Sequence, residues 1–277
     1  MIRIVTDSSC DLPDEVLEQS RIAVVPLTIR FGEDEFVDRE QISIDEFWDR
    51  LLAGEDLPET AAPPVGRFLE TFRSLESEGA EGIVVVTLSS RISATHQSAV
   101  LAADQFSSGI PVSVVDSRLV STALGLAAMA AAQAAAEGTP MDEVAAIAAG
   151  EGNLFAALDT LEFLKRGGRI GSAAAFFGSL LSVKPLLSFA DGEVSAAGRV
   201  RTRKRALASI HNHVADVAAS IDRIGVVHSE APDLDDFLEQ LEADGHDVAV
   251  VSRLGPVVGT HAGPGVIGVV YRLASNG

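Results

Sequence analysis

The chain has 277 residues, of which 47% are hydrophobic, and a formal net charge of −19 at pH 7. It is long enough for two domains, predicted at 1–150 and 151–277, and its charge argues against nucleic acid and anionic membrane surfaces as partners. The single cysteine, Cys10, excludes an internal disulfide framework and argues against a structural zinc site, so the cytoplasm is the expected location.

The first 150 residues alternate predicted strands and helices. The chain begins on a strand, without the pattern of a secretion signal. The apolar run 123–136 is too short for a membrane span, so no stable membrane insertion is expected. Strands are predicted at 2–6, 22–30, 82–88 and 112–116, and helices at 13–20, 43–53, 64–77, 93–106 and 121–137. This alternation predicts an α/β domain with a mainly parallel sheet flanked by helices.

Polar residues follow three of these predicted strands, at 6–9, 87–90 and 116–117. Ligands of parallel sheets bind beyond the carboxyl ends of the strands. Ser93 begins the next predicted helix, whose unpaired N–H groups favour an anion. Because a Gly-rich phosphate loop is missing there, a carboxylate is the expected anion; the alternative is that Ser93 only caps the helix.

A proline-containing loop is predicted at 54–67, with Thr60 in its middle. After a short helix ending near residue 150, the pattern changes. Asp191-Gly192 between two apolar segments predicts a hairpin, and strands are predicted at 223–228, 247–252 and 266–272. The second domain is therefore predicted to be α+β with an antiparallel sheet.

Two basic segments stand out in this acidic chain. The first ends a short helix with Lys165 and Arg166, followed by two glycines and Arg169, and fits either ordinary capping or a recognition loop. In the second, alternation predicts that three side chains share one face: Arg199, Arg201 and Arg203. His211 and His213 resemble a metal pair, but residues two apart on a helix point to different faces.

Six motifs, in order along the whole chain, resemble the DegV family. They are Thr6-Asp7-Ser8-Ser9-x-Asp11-Leu12-Pro13, Ser89-Ser90-x-Ile92-Ser93-x-Thr95-x-Gln97-x-Ala99, Asp116-Ser117 with Ser121 and Gly125, Thr160-Leu161-Glu162-Phe163-Leu164-Lys165-x-Gly167-Gly168-Arg169-Ile170, Lys184-Pro185 and His261-x-Gly263-Pro264-Gly265. The resemblance implies a two-domain protein of the FakB type that binds one long-chain fatty acid and needs no cofactor. It also implies a partner, an ATP-dependent kinase subunit of the FakA type, which phosphorylates the bound carboxyl group for phospholipid synthesis.

The resemblance also implies a set of site residues. Thr60 and Ser93 should bind the carboxylate, supported by Arg201 and His261. The family's usual Thr-Ser-Gln-Pro-Ser is Thr60-Ala61-Ala62-Pro63-Pro64 in this chain, and its Ser-Gly-Thr is Ser93-Ala94-Thr95. Hydroxyls and a cation suit the task, because a buried carboxylate is costly unless it is hydrogen-bonded. The basic loop beside this end is predicted to contact the kinase through Lys165, Arg166 and Arg169.

A fatty acid also needs a long apolar tunnel. Burying about fifteen methylenes would contribute on the order of 10 kcal/mol. Segments 173–181 and 185–189 are predicted to line the tunnel, and the alternative is that they form ordinary core. Two other functions remain open: a stand-alone hydrolase or acyl transferase that uses Ser93 with His261, and a lipid-responsive regulatory protein without a kinase partner.

Overall fold

The computed structural model describes residues 1–54, 57–107, 109–176 and 183–274. Its strands are β1 (Ile2–Asp7), β2 (Ile22–Val25), β3 (Thr28–Phe31), β4 (Asp34–Val37), β5 (Glu59–Ala61), β6 (Gly82–Thr87), β7 (Val112–Asp116), β8 (Gly152–Ala157), β9 (Lys184–Ala190), β10 (Glu193–Val200), β11 (Ile221–His228), β12 (Val248–Arg253) and β13 (Ile267–Leu273). Its helices are α1 (Asp14–Gln19), α2 (Ile44–Leu52), α3 (Val65–Ser77), α4 (Thr95–Gln105), α5 (Thr122–Ala136), α6 (Met141–Ala148), α7 (Glu162–Arg166), α8 (Arg203–Val217), α9 (Leu234–Ala243) and α10 (Pro256–Ala262).

A four-stranded parallel sheet in the order β2-β1-β6-β7 forms the centre of the first half, as predicted. Every residue of β6 is buried, because helices cover both faces of the sheet. Phe68 and Phe72 of α3 pack on one face, and Leu124 and Ala128 of α5 pack on the other. The parallel arrangement brings the carboxyl ends of β1, β6 and β7 to the same edge.

The strand predicted at 22–30 is interrupted in the structure. Pro26 separates β2 from β3, because proline has no N–H group and cannot continue the hydrogen-bond ladder. β3 instead forms a three-stranded antiparallel sheet with β4 and β5. The segment predicted as a loop supplies β5, which places Thr60 opposite Ile29.

A six-stranded sheet in the order β10-β9-β8-β13-β11-β12 forms the second half. The predicted hairpin joins β9 to β10, and Asp191 and Gly192 both have the positive φ that such a turn requires. The predicted antiparallel sheet is found, with four antiparallel strand pairs and one parallel pair among the described residues. β11 and β12 run parallel because α9 lies between them in sequence and provides the crossover.

The alanine-rich helix α5 packs against both sheets, contacting β1 as well as β13 and β11. Its small side chains permit this close packing; a Cβ on Gly125 would lie 2.7 Å from the side chain of Leu12. The largest hydrophobic cluster accordingly includes residues from both halves, such as Ile4 and Val270. The domain boundary at 150 stays a prediction. Within the described ranges, every helix is too short or too polar to cross a membrane.

Candidate functional site

An apolar cavity lies between the two halves of the molecule. The space open to the centre of a water-sized sphere inside it amounts to about 110 Å³. Its walls come from β8, β9, α10 and the loops that follow β6 and β7. They include Leu88, Val120, Leu154, Ala156, Leu158, Leu187, Phe189, Val194, Val257, Val258 and Val266.

The two segments predicted to line the tunnel differ in their placement. Leu187, Ser188 and Phe189 line the cavity, as predicted for segment 185–189. In the other segment, residues 173–176 are not among the lining residues, and Ala173 is buried in the main core cluster. Residues 177–181 lie outside the described residues.

Polar side chains from four separate parts of the chain meet on the wall of this cavity: Thr60, Ser93, Arg169 and His261. Thr60 Oγ1 and His261 Nε2 share a hydrogen bond of 2.9 Å. Ser93 Oγ lies 2.9 Å from Thr95 Oγ1 and accepts a hydrogen bond of 3.3 Å from the Thr95 amide. Since α4 begins only at Thr95, Ser93 lies in the loop before the helix, and its hydroxyl lines the cavity.

Arg169 is the one cation among the described residues that line the cavity. Its Nε donates to the Ile92 carbonyl at 3.1 Å and its Nη1 to the Gly167 carbonyl at 2.6 Å. It forms no ion pair with a carboxylate of the described residues. A guanidinium beside an apolar cavity, with no protein carboxylate to balance it, favours an anionic ligand.

His261 is neutral at pH 7. Burial, together with the nearby Arg169 cation, lowers its pKa from 6.5 to about 4. Its Nδ1 is buried without a hydrogen-bond partner and packs against Gly167, where a Cβ would overlap that nitrogen. His261 therefore acts here as a hydrogen-bonding and orienting group.

Arg201 is not among the described residues that line the cavity, and its role as a carboxylate ligand stays a prediction. β10 ends at Val200 and α8 begins at Arg203, which leaves Arg201 exposed in the connection. The predicted common face with Arg203 is not formed either, because Arg203 bonds to both carboxylate oxygens of Asp233, at 2.8 and 2.7 Å. The cation that does line the cavity is Arg169. It was identified in the sequence only as a candidate partner contact.

Ser93 and His261 do not form a nucleophile and base pair. Ser93 bonds to Thr95, and His261 bonds to Thr60. A histidine whose pKa is lowered to about 4 is also a weak base at neutral pH. The geometry gives no support to the alternative of a stand-alone hydrolase.

Two buried aspartates at and just after the end of β1 accept hydrogen bonds from segments that form the cavity walls. The sequence analysis missed this role. Asp7 Oδ2 accepts the amide of Leu88 at 2.7 Å, where the loop that leads to Ser93 begins. Asp11 Oδ1 accepts the amide of Gly255 at 3.0 Å, immediately before the helix that carries His261. Burial raises the pKa of Asp7 to about 6 and that of Asp11 to about 7.

The polar end of the cavity also faces a hollow on the surface. Thr60, Arg169 and His261 line both spaces, and the hollow is completed by residues that include Leu57, Phe163 and Arg166. Lys165 and Arg166 are exposed, and Arg166 pairs with Glu162 at 2.7 Å. A group bound beside Arg169 would thus lie between the apolar interior and the surface. No group of three or more potential metal ligands occurs in the part of the chain that the structure describes.

Comparison with known proteins shows which family this chain belongs to. The family model described as "Uncharacterised protein, DegV family" matches residues 1–273, and the chain belongs to this family. The DegV domain-containing protein SCO2569 of Streptomyces coelicolor is 39% identical, with 97% of each chain covered. The DegV domain-containing protein lmo2514 of Listeria monocytogenes is 35% identical, with 98% of each covered.

Solved structures agree with this assignment. The fold is similar to that of a fatty-acid-binding DegV family protein from Thermus thermophilus, with a TM-score of 0.89, 32% identity and 99% of each chain covered. It is also similar to DegV, a fatty acid binding protein from Bacillus subtilis, with a TM-score of 0.87, 30% identity and the same coverage. These neighbours bind fatty acids, and the match extends across both halves of this chain.

Proposed function

We propose that this protein binds one long-chain fatty acid and presents its carboxylate to a separate ATP-dependent kinase subunit of the FakA type. The observation that carries the proposal is the position of Arg169 beside two hydroxyls on the wall of an apolar cavity, since this cation has no carboxylate partner among the described residues. An apolar chain with one terminal negative charge fits both parts of this site. The fatty-acid-binding neighbours support the same class of ligand.

Each polar group has a definite role in holding the carboxylate. Arg169 has N–H groups that are not used by the Ile92 and Gly167 carbonyls. When His261 Nε2 donates to Thr60 Oγ1, the Thr60 hydroxyl hydrogen is free to point at a carboxylate oxygen. When the Thr95 hydroxyl and amide both donate to Ser93 Oγ, the hydroxyl hydrogen of Ser93 is likewise free to point at a carboxylate oxygen. Charge-assisted hydrogen bonds of this kind offset the cost of burying the carboxylate.

The contribution of this chain to phosphoryl transfer is positioning. One carboxylate oxygen attacks the γ-phosphorus of ATP on the kinase, the bond from that phosphorus to the ADP oxygen breaks, and an acyl phosphate forms. In such reactions the alignment of the attacking oxygen supplies much of the rate. The surface hollow next to Thr60 and Arg169 gives the partner access to the carboxylate while the tail stays buried.

The kinase step is tested by reversing the charge of Arg166 in the surface hollow. Arg166 is exposed in the surface hollow and does not line the fatty-acid cavity, so Arg166→Glu should reduce acyl-phosphate formation by the kinase while palmitate affinity stays unchanged. Arg205→Glu, on the exposed side of α8, is the matched control and should leave both unchanged. Turnover equal to wild type in Arg166→Glu would remove Arg166 from the partner surface. A wild-type protein that binds palmitate but supports no acyl-phosphate formation would reject the kinase proposal itself.

A further inference from the structure

A second hollow lies at the opposite end of the parallel sheet from the fatty-acid cavity. It is formed by the start of β1, the turn after α1, the last turns of α5 and the beginning of β11, and its volume is about 360 Å³. Three arginines line it: Arg3, Arg21 and Arg223. We call it the arginine hollow. It shares no lining residue with the fatty-acid cavity.

Two of the three arginines in the arginine hollow have no acidic partner among the described residues. Its described lining residues include no Asp or Glu, although the chain carries 40 of them against 21 Lys and Arg. Arg21 is exposed and its side chain makes no hydrogen bond or ion pair with a described residue. Arg223 donates to the neutral amide oxygen of Gln133 at 3.0 Å, and only Arg3 has an acidic partner, Glu78 at 2.9 Å.

Two of the three arginines can therefore bind an anion. Arg21 and Arg223 make no ion pair with a carboxylate of the described residues, so their N–H groups have no acidic acceptor there. An anion in the hollow would supply that acceptor and balance the local charge.

The floor of the arginine hollow is apolar. It consists of side chains that include Ile2, Ile4, Met129, Ala132 and Ala135. Guanidinium groups beside an apolar surface match a molecule that has a negative group and a short apolar body. We propose that the arginine hollow binds a small organic anion of this class, independently of the fatty acid.

The competing interpretation is that these arginines only stabilise helix ends. α1 and α5 both end at the hollow, and cations interact favourably with C-terminal carbonyl groups. The two interpretations differ in what they predict for ligand binding.

Calorimetric titration with hexyl phosphate distinguishes them. The titration uses protein already saturated with palmitate, so that the large cavity is occupied. We expect saturable binding of hexyl phosphate, weaker binding of inorganic phosphate, and none of hexanol. Arg21→Glu and Arg223→Glu should each weaken hexyl phosphate binding about tenfold or more, as expected for the loss of a charge-assisted contact.

Arg205→Glu has the same charge change on an exposed surface outside the hollow and should bind hexyl phosphate like wild type. Palmitate titration of each variant, with a melting curve, shows separately whether the large cavity and the fold are intact. Absence of saturable binding to wild type, or equal binding by wild type and both hollow variants, would overturn the proposal. Inorganic phosphate binding as tightly as hexyl phosphate would contradict the role of the apolar floor.

Discussion

In the proposed function, Arg169 and the two hydroxyls near it select a carboxylate as the ligand. Thr60 and Ser93 would be ordinary polar residues at the edge of a core if no charge lay beside them. With Arg169 in place, the same wall would stabilise a buried carboxylate, since hydroxyl and guanidinium donors both form stronger hydrogen bonds when the acceptor is charged. His261 contributes through Thr60, with which it shares a hydrogen bond.

Ser93→Ala removes one donor to the carboxylate. Little water can replace it in this cavity, so palmitate binding should weaken by about 1.5 to 3 kcal/mol. Ser98→Ala, in α4 and outside the cavity, is the matched control and should bind palmitate normally. Palmitate affinity is measured by titration for wild type and both variants. A melting curve of each lipid-free protein shows whether the substitution has changed its stability. Equal palmitate affinity in Ser93→Ala and wild type would mean that the carboxylate is bound elsewhere.

The palmitate affinities of two variants show which arginine binds the carboxylate. Arg169→Gln removes the cation that lines the cavity, and Arg201→Gln removes the cation expected from sequence. Arg169 lines the cavity and Arg201 is exposed outside it. Palmitate affinity should therefore fall about tenfold or more in Arg169→Gln, the size expected for a charged hydrogen bond. It should be unchanged in Arg201→Gln. The reverse pattern in the same titration would restore Arg201 as the ligand.

Among the secondary-structure elements, α10 has the largest influence on the site, because it carries His261 and several apolar wall residues. Its close approach to α2 depends on Gly259, where a Cβ would lie 2.7 Å from Phe47 and 2.9 Å from Trp48. Trp48 Nε1 also donates to the Leu254 carbonyl at 2.9 Å. The position of His261 is thus determined by packing at both ends of a short helix.

Gly167→Ala tests the contact between the basic loop and α10. Gly167 has φ −72°, which alanine adopts without strain, but its new Cβ would overlap His261 Nδ1. We expect a displaced imidazole and weaker palmitate binding, measured by titration. Gly66→Ala is the control, since its Cβ would meet nothing within 4 Å and it lies inside α3. A Gly167→Ala protein with wild-type affinity would show that the position of His261 does not matter for binding.

The elements that the sequence predicted well are those with strong periodicity. The continuous apolar run of β6 and the alanine-rich α5 were both recognisable, and the turn residues Asp191-Gly192 located a hairpin. The split at Pro26 and the small sheet with β5 were not predicted, because three- and four-residue strands carry little pattern and their partners are distant in sequence. For the same reason sequence could name the candidate cations but could not choose between Arg169 and Arg201.

At the scale of the whole molecule, three carboxyl groups are buried among the described residues: Asp7, Asp11 and Asp38. Burial raises their pKa values to about 6, 7 and 6. Folding therefore favours their protonated forms, and the free energy of unfolding should decrease as the pH rises from about 4 to 7. His261, whose pKa is lowered to about 4, acts in the opposite direction between pH 4 and 6.5.

Asp11→Asn should flatten this pH dependence. The pKa of Asp11 rises from 3.8 to about 7 on folding, and at about 1.4 kcal/mol per unit its ionisation opposes folding by about 4 kcal/mol at most. Wild type should lose stability relative to Asp11→Asn as the pH rises from 4 to 8, measured by urea unfolding. Parallel pH profiles for the two proteins would contradict a raised pKa at this position.

Native mass spectrometry of the purified protein tests the central claim most directly. An apolar cavity with a cation on its wall should retain its ligand through purification. We expect an added mass that corresponds to one fatty acid per chain, which organic extraction releases as a long-chain carboxylic acid. A protein that carries no lipid, and that takes up neither added palmitate nor added oleate, would contradict fatty-acid binding.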